Sequence, residues 1–323
     1  MEWTANDRAA QSASGRTCLL VLGMHRSGTS ALTAVLSIGG AALPHSLLGP
    51  RRGNEGGHWE PERLVLYHDL LLKELSSNWY DWRPLEIAGL SSDRRRRVTQ
   101  EIGELLTAEF GNASLFIVKD PRICRFTGLF IDSLENAGID ARAIHVIRHP
   151  LEVADSLMKR DQFTQADGAL QWLRHVLDSE GETRGRPRVF LSYETLLDDW
   201  RVTLERISES LDVAWPNATE DIEKQIAQFL SPGQRHHART SDDVESDPAL
   251  RSWIGETYSA LLKLEQDPHS QDAMSALDTV RREFNRAAPI LFRLQSELAP
   301  ERKPQKPRKR QWERITRRFG LRN

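Results

Sequence analysis

The sequence predicts a three-layer α/β fold, with a mostly parallel central sheet flanked by helices and a helical extension at the C-terminal end. Three observations predict it. Four short apolar runs, CLLVL at 18–22, LFIVK at 115–119, AIHVI at 143–147 and RVFLS at 188–192, each lead into a helix-compatible segment, the pattern of a parallel sheet. Each run is followed at its carboxyl end by polar residues, HRSGTS, KDPR, RHP and SYE, where open α/β sheets bind ligands. Beyond the fourth run the chain shows helical periodicity alone.

In chain order, residues 1–17 are small and polar and read as a flexible N-terminus. Behind Cys18–Leu22 comes a turn bounded by Gly23 and Gly28, then a helix from Thr29 to Ile38 stopped by Gly39 and Gly40. The G-x-x-x-x-G spacing between strand and helix makes the fold P-loop-like. The segment PHSLLGPRRGNEGGHWEP, rich in Gly, Pro and charge, reads as a functional surface loop beside that unit. Helical periodicity resumes over Pro61–Ser76 at Leu64, Tyr67, Leu71 and Leu75, and an aromatic patch, NWYDWRP, precedes a helix from Arg94 to Phe110. Further helices are expected over Thr195–Leu211, Thr219–Phe229, Ser246–Leu264 and Ser270–Leu298. The last carries an apolar stripe of Met274, Leu277, Val280, Phe284, Ile290, Leu291 and Leu294, which reads as core packing, with a homodimer interface as the sharper alternative. The resulting division is an α/β domain over 18–240, a helical extension over 241–300 packed on it, and a basic tail over 301–323.

With 323 residues, 39% of them hydrophobic, the chain can bury a substantial core. The net charge of −2 hides an asymmetry: residues 301–323 hold ten Lys or Arg against Glu301 and Glu313. Trp312, Ile315 and Phe319 at helical spacing give that tail two readings, contact with anionic membrane or nucleic acid, or a disordered solubilising end. Cys18 and Cys124 are too few for a disulfide framework or a cysteine zinc site and suit a reducing compartment. No stretch approaches a membrane span and the N-terminus lacks a secretion signal, so the chain reads as cytoplasmic, with the tail allowing peripheral contact at an inner membrane surface.

The glycine-bounded turn suits an anion, because backbone N–H groups and the dipole at a helix N-terminus point at it. Ser27, Thr29 and Ser30 add hydroxyls, and Arg26 adds a fixed charge with bidentate geometry. Thr29 stands where a nucleoside triphosphatase has its lysine. An NTP-dependent kinase reading then needs a metal-binding carboxylate at a strand end, for which Asp120 is the candidate.

The pattern HRSGTSA resembles the 5′-phosphosulfate loop, P-K-S-G-T-T-W, of sulfotransferases that use 3′-phosphoadenosine 5′-phosphosulfate (PAPS), with Arg26 in the place of the lysine. A second segment, RHPLEVADS, matches the spacing of that family's 3′-phosphate motif at Arg148, Pro150 and Ser156. A strand-end guanidinium and a hydroxyl on the following helix can hold a terminal phosphate, and proline suits the first helical turn. A third, LSYETL, is similar to the family's F-x-Y-E-x-L segment, which implies that Tyr193 lies near adenine, although a buried structural tyrosine fits as well. The resemblance covers roughly residues 18–212; the cytosolic family's C-terminal R-K-G-x-x-G signature is absent, and Arg235 and Arg239 are candidate replacements.

The resemblance implies transfer of a sulfuryl group from PAPS to a hydroxyl acceptor without a metal, assisted by a general base. Glu55, His58 and Glu60 share the loop after the first helix, and GGHWEP looks like the G-x-W/F-E stretch of bacterial sulfotransferases; Glu60 is the first choice of base and His58 the second. A glutamate before a helix can equally be an N-terminal charge complement. Lys119 in KDPR resembles the lysine that helps neutralise the transferred group in the tyrosylprotein branch, its alternative being a partner for Asp120; Arg122 binds sulfate or fixes the loop. Trp59, Trp79, Tyr80 and Trp82 are expected beside the acceptor, or in ordinary packing. The acceptor implied is a glycan, glycolipid or other small-molecule hydroxyl. A non-catalytic nucleotide-binding scaffold, or a basic-tailed nucleic-acid binder, is the reading from another functional class.

Overall fold

A computed structural model describes residues 15–49, 57–217, 220–230, 239–240 and 242–298. Strands β1 (Arg16–Leu22), β2 (Leu115–Lys119), β3 (Ile139–Ile147) and β4 (Arg188–Ser192) form one sheet in the order β2-β1-β3-β4, with every pairing parallel. All four expected apolar runs are strands.

Period-two side-chain alternation sends neighbouring strand residues to opposite faces, and both faces are covered. Cys18, Leu20, Leu22, Phe116 and Val118 point into one core with α2 (Glu62–Glu74), α3 (Ser92–Phe110) and α4 (Thr127–Asn136). Leu19, Val21, Ile117, Ile144 and Val189 point into the opposite core with α1 (Thr29–Ile38) and, later in the chain, α8 (Trp200–Leu211) and α9 (Glu220–Phe229). Between β3 and β4 run α5 (Pro150–Asp161) and α6 (Gln165–Glu182), which join a third core.

Thr195–Leu211 is two helices rather than one, α7 (Tyr193–Asp198) and α8, because Asp199 leaves helical geometry and caps the second by accepting from the Arg201 amide at 2.9 Å. The expected helix over Ser246–Leu264 is also broken. Asp247 caps a short α11 (Pro248–Leu250) that follows α10 (Asp242–Glu245), and a π-helical turn over Arg251–Gly255 leads into α12 (Glu256–Gln266).

The final helix, α13 (Gln271–Leu298), packs against α12 and the α6 layer. Its stripe divides: Leu277, Val280 and Phe284 are fully buried in the third core, whereas Ile290 and Leu294, beyond Pro289, are exposed. The inner part of the stripe is therefore core, the first of its two readings. The tail over 301–323, Glu55 and Arg235 lie outside the described residues. Among the described residues no helix is long and apolar enough to cross a membrane.

Candidate functional site

The strand order places β1 between β2 and β3, so the connections leaving β1 and β3 turn to opposite sides and open a crevice at the carboxyl ends of these strands. The first loop enters it. Gly23 and Gly28 both have positive φ, 152° and 91°, and Arg26 between them sits at φ 72°. Gly28 is required there twice over: a Cβ would lie 2.2 Å from the Tyr193 ring as well as in the left-handed region. Helix α1 starts at Thr29 with no side-chain cap and no acidic residue in its first turn, so its leading N–H groups face the crevice uncompensated. Ser27 is wholly buried and its Oγ has no hydrogen-bond partner.

The second motif closes on the first. Arg148 Nη1 donates to the Arg26 carbonyl at 2.8 Å, and Arg26 Nε donates to Ser156 Oγ at 2.8 Å. The Arg148 guanidinium lies over the Tyr193 ring, 4.7 Å from its centroid, and its Nε donates to Glu152 Oε2 at 2.9 Å. Pro150 opens α5 in its first turn, as expected. Burial first, then the charges of Arg160 and Arg148, pull the Arg26 pKa down from the usual guanidinium value. Burial pushes the Tyr193 phenol up. Tyr193 thus occupies a buried position between Gly28 and Arg148.

On the other side of the loop, Lys119 leaves the end of β2 and donates to Glu60 Oε1 at 2.7 Å, to the His58 carbonyl at 2.9 Å and to Ser30 Oγ at 3.2 Å. Both members of the Lys119–Glu60 pair are almost fully buried. Lys119 is therefore not a partner for Asp120. Asp120 instead meets His68 Nδ1 at 2.7 Å through Oδ2 and Arg122 Nη1 at 3.0 Å through Oδ1. Burial opposes the Asp120 charge, yet Arg122 and then His68 hold its carboxyl well below the usual range. Arg122 also binds Asp69, Nε to Oδ1 at 2.5 Å, and fixes the loop. His58 contributes its backbone carbonyl to this cluster. Thr29 is buried directly behind Gly28.

The aromatic group separates. Trp82 is core, against Phe284 and Phe292; Trp59, at φ 56°, meets Phe229; only Trp79 and Tyr80 stand together, with Phe163. Arg239 is committed to α5, its amide donating to Glu152 at 3.1 Å and its Nη2 to Asp155 at 2.7 Å. Three residues of this region were not singled out from the sequence: His25, Arg160 and Glu152. Glu152 and Arg160 carried a signal, since they stand four residues after Arg148 and Ser156 on one helical face.

Residues 19–217 match the sequence model of the Sulfotransferase family. The chain belongs to the sulfotransferase family. Among solved structures this sulfotransferase is similar to the sulfotransferase domain from the Synechococcus PCC 7002 olefin synthase, at TM-score 0.40 and 18% identity over 86% of this chain and 98% of that one. It is also similar to the sulfotransferase domain from the curacin biosynthetic pathway, at TM-score 0.39 and 15% identity over 96% and 99% of the two chains. No curated protein matches it.

Proposed function

We propose that this sulfotransferase takes its sulfuryl group from PAPS and passes it to a hydroxyl acceptor, a glycan, glycolipid or other small molecule. The observation that carries the donor assignment is the interlock of two motifs more than 120 residues apart, Arg148 on the Arg26 carbonyl and Arg26 on Ser156. The residues fit such a donor: the buried Ser27 Oγ awaits a partner, the α1 N-terminus is uncapped, and arginines flank both.

In this reading Arg26, Ser27, Gly28, Thr29 and Ser30 hold the 5′ side, and Arg148 with Ser156 holds the 3′-phosphate. Tyr193 supports Arg148 and would lie beside the adenine ring. When bound, PAPS supplies the sulfuryl group on a phosphate leaving group. Lys119 turns a positive charge toward the transferring group, and Glu60, freed from Lys119 by that turn, takes the acceptor proton. His58 remains the second candidate for the base. Asp120, the carboxylate a kinase reading would need for Mg²⁺, has both oxygens engaged by His68 and Arg122. The free, buried Cys18 and Cys124 support a cytoplasmic setting.

Calorimetry with adenosine 3′,5′-bisphosphate, against ATP with Mg²⁺, tests the donor. Tight binding of the bisphosphate without metal, lost in Arg148→Ala, is expected; binding of ATP with Mg²⁺ alone would refute the reading.

A further inference from the structure

The loop residue that the donor reading leaves unused is His25. It lies between Met24 and Arg26 in the glycine-bounded turn, is only 9% exposed, and its buried Nε2 has no hydrogen-bond partner. Burying an imidazole nitrogen without a partner is costly, so the position calls for a group that the chain itself does not provide. The His25 ring meets Trp79 nearly edge-on, with centroids 4.8 Å apart and planes at 70°.

Trp79 is one member of a three-ring cluster. Its centroid lies 5.3 Å from Tyr80 and 5.7 Å from Phe163, and Tyr80 is 38% exposed. The Arg160 guanidinium stands over the Trp79 ring at 5.7 Å. The cluster is held rigidly from beneath. Arg125 donates to the carbonyls of Asp81 and Arg83, and Arg174 donates to the Trp82 carbonyl at 2.9 Å, so two buried arginines fasten the turn that carries Trp79 and Tyr80.

We propose that Trp79 and Tyr80, backed by the buried Phe163, form the acceptor shelf of this sulfotransferase, with His25 as its polar end accepting a hydrogen bond from the acceptor hydroxyl, and that the acceptor class is a ring-borne hydroxyl. The proposal rests on the donor reading above for the direction of transfer. A rigid aromatic surface favours ligands with a flat or C–H-rich face over flexible chains, and a single polar group at its end fixes orientation. His25 joins the shelf directly to the loop that holds Arg26, so a hydroxyl bound there lies beside the donor. Burial first, then the charges of Arg160, Arg122 and Lys119 and the neighbouring His175, keep the His25 imidazole well below its ordinary pKa and therefore neutral. A neutral imidazole retains the lone pair that a hydroxyl needs as acceptor.

The test is saturation-transfer NMR on the full chain loaded with adenosine 3′,5′-bisphosphate, using 4-nitrophenol, methyl β-D-glucopyranoside and hexan-1-ol as probes. At least one ring hydroxyl should bind more tightly than hexan-1-ol, and which one does separates an aryl from a sugar acceptor. Tyr80→Ser, at an exposed position that folding tolerates, should abolish that preference, and His25→Asn should weaken the preferred probe about tenfold, the upper end for one hydrogen bond. Bisphosphate affinity should stay within about twofold in both variants, as hydrogen-bonding groups of the donor site are untouched. Equal binding of all three probes, or wild-type probe affinity in both variants, overturns the shelf. Loss of the bisphosphate in His25→Asn overturns the role of His25, which would then belong to the frame of the donor loop. Should the wild-type protein fail to bind the bisphosphate, the donor reading falls, while the probes still decide the shelf on the unloaded protein.

Discussion

The two sides of the crevice are built differently. The proposed donor side is made of contiguous motifs, a strand end, a glycine turn and a helix start, each of which carries its residues within nine positions of chain. The opposite side draws Glu60, Lys119, Trp79 and Phe163 from four separate places, with Trp79 reaching His25 of the glycine turn, and none of these contacts follows from local spacing. The difference is instructive: an anion cradle is a backbone device and can be written in a short sequence, whereas a side-chain surface for an acceptor depends on which elements pack together.

Breaking the Lys119–Glu60 pair should have the largest effect. Lys119→Met leaves the buried Glu60 carboxylate with Arg122 alone, 3.8 Å from its other oxygen, and should cost about 3 kcal/mol of stability, the lower end for breaking a buried pair, read by denaturant unfolding. The double variant Lys119→Met/Glu60→Leu should recover most of that stability without recovering turnover. Glu60→Gln should retain bisphosphate binding and lose turnover; full activity would move the base to His58 or elsewhere.

Next comes the donor loop itself. Gly28→Ala drives a methyl group into the Tyr193 ring at a positive-φ position, an overpacking cost of about 1–3 kcal/mol that should appear as weaker bisphosphate binding. In the Gly28→Ala background, Tyr193→Ala should cost less stability than it does alone, read by denaturant unfolding; fully additive costs would mean that the backbone conformation, not the ring contact, requires the glycine.

A smaller effect, spread over pH, comes from histidines buried behind the site. Burial first, then Arg188 for His145 and Arg125 for His175, lowers both pKa values to about 3. An unfolded histidine titrates near 6.5, so between about pH 6.5 and pH 3 the unfolded chain binds protons that the folded chain refuses. Stability should therefore fall as pH drops through that window, by about 1.4 kcal/mol per pH unit for each group. Thermal unfolding across the window should show a shallower slope in His145→Asn, by one proton. The smallest effect belongs to the exposed edge of the aromatic cluster: Tyr80→Ser should change stability by about 0.5 kcal/mol or less.

The sequence by itself determined the sheet and the glycine turn that follows its first strand. Four apolar runs of strand length, each bounded by turn residues and polar at its carboxyl end, mark parallel strands buried on both faces, and a glycine at φ 91° is locally demanded. Arg26, Arg148 and Ser156 were singled out through the resemblance to the family's two motifs, and the structure brings the three side chains together. The breaks at Asp199 and Asp247 carried a capping signal that helical periodicity masked. Only the tertiary structure decided that Lys119 serves Glu60 rather than Asp120, that Trp82 is core while Trp79 faces His25, and that the stripe of α13 is buried up to Phe284 and exposed at Ile290 and Leu294. Those outcomes depend on contacts between residues tens of positions apart, where side-chain packing and the desolvation of charge, rather than local backbone preference, choose the partner.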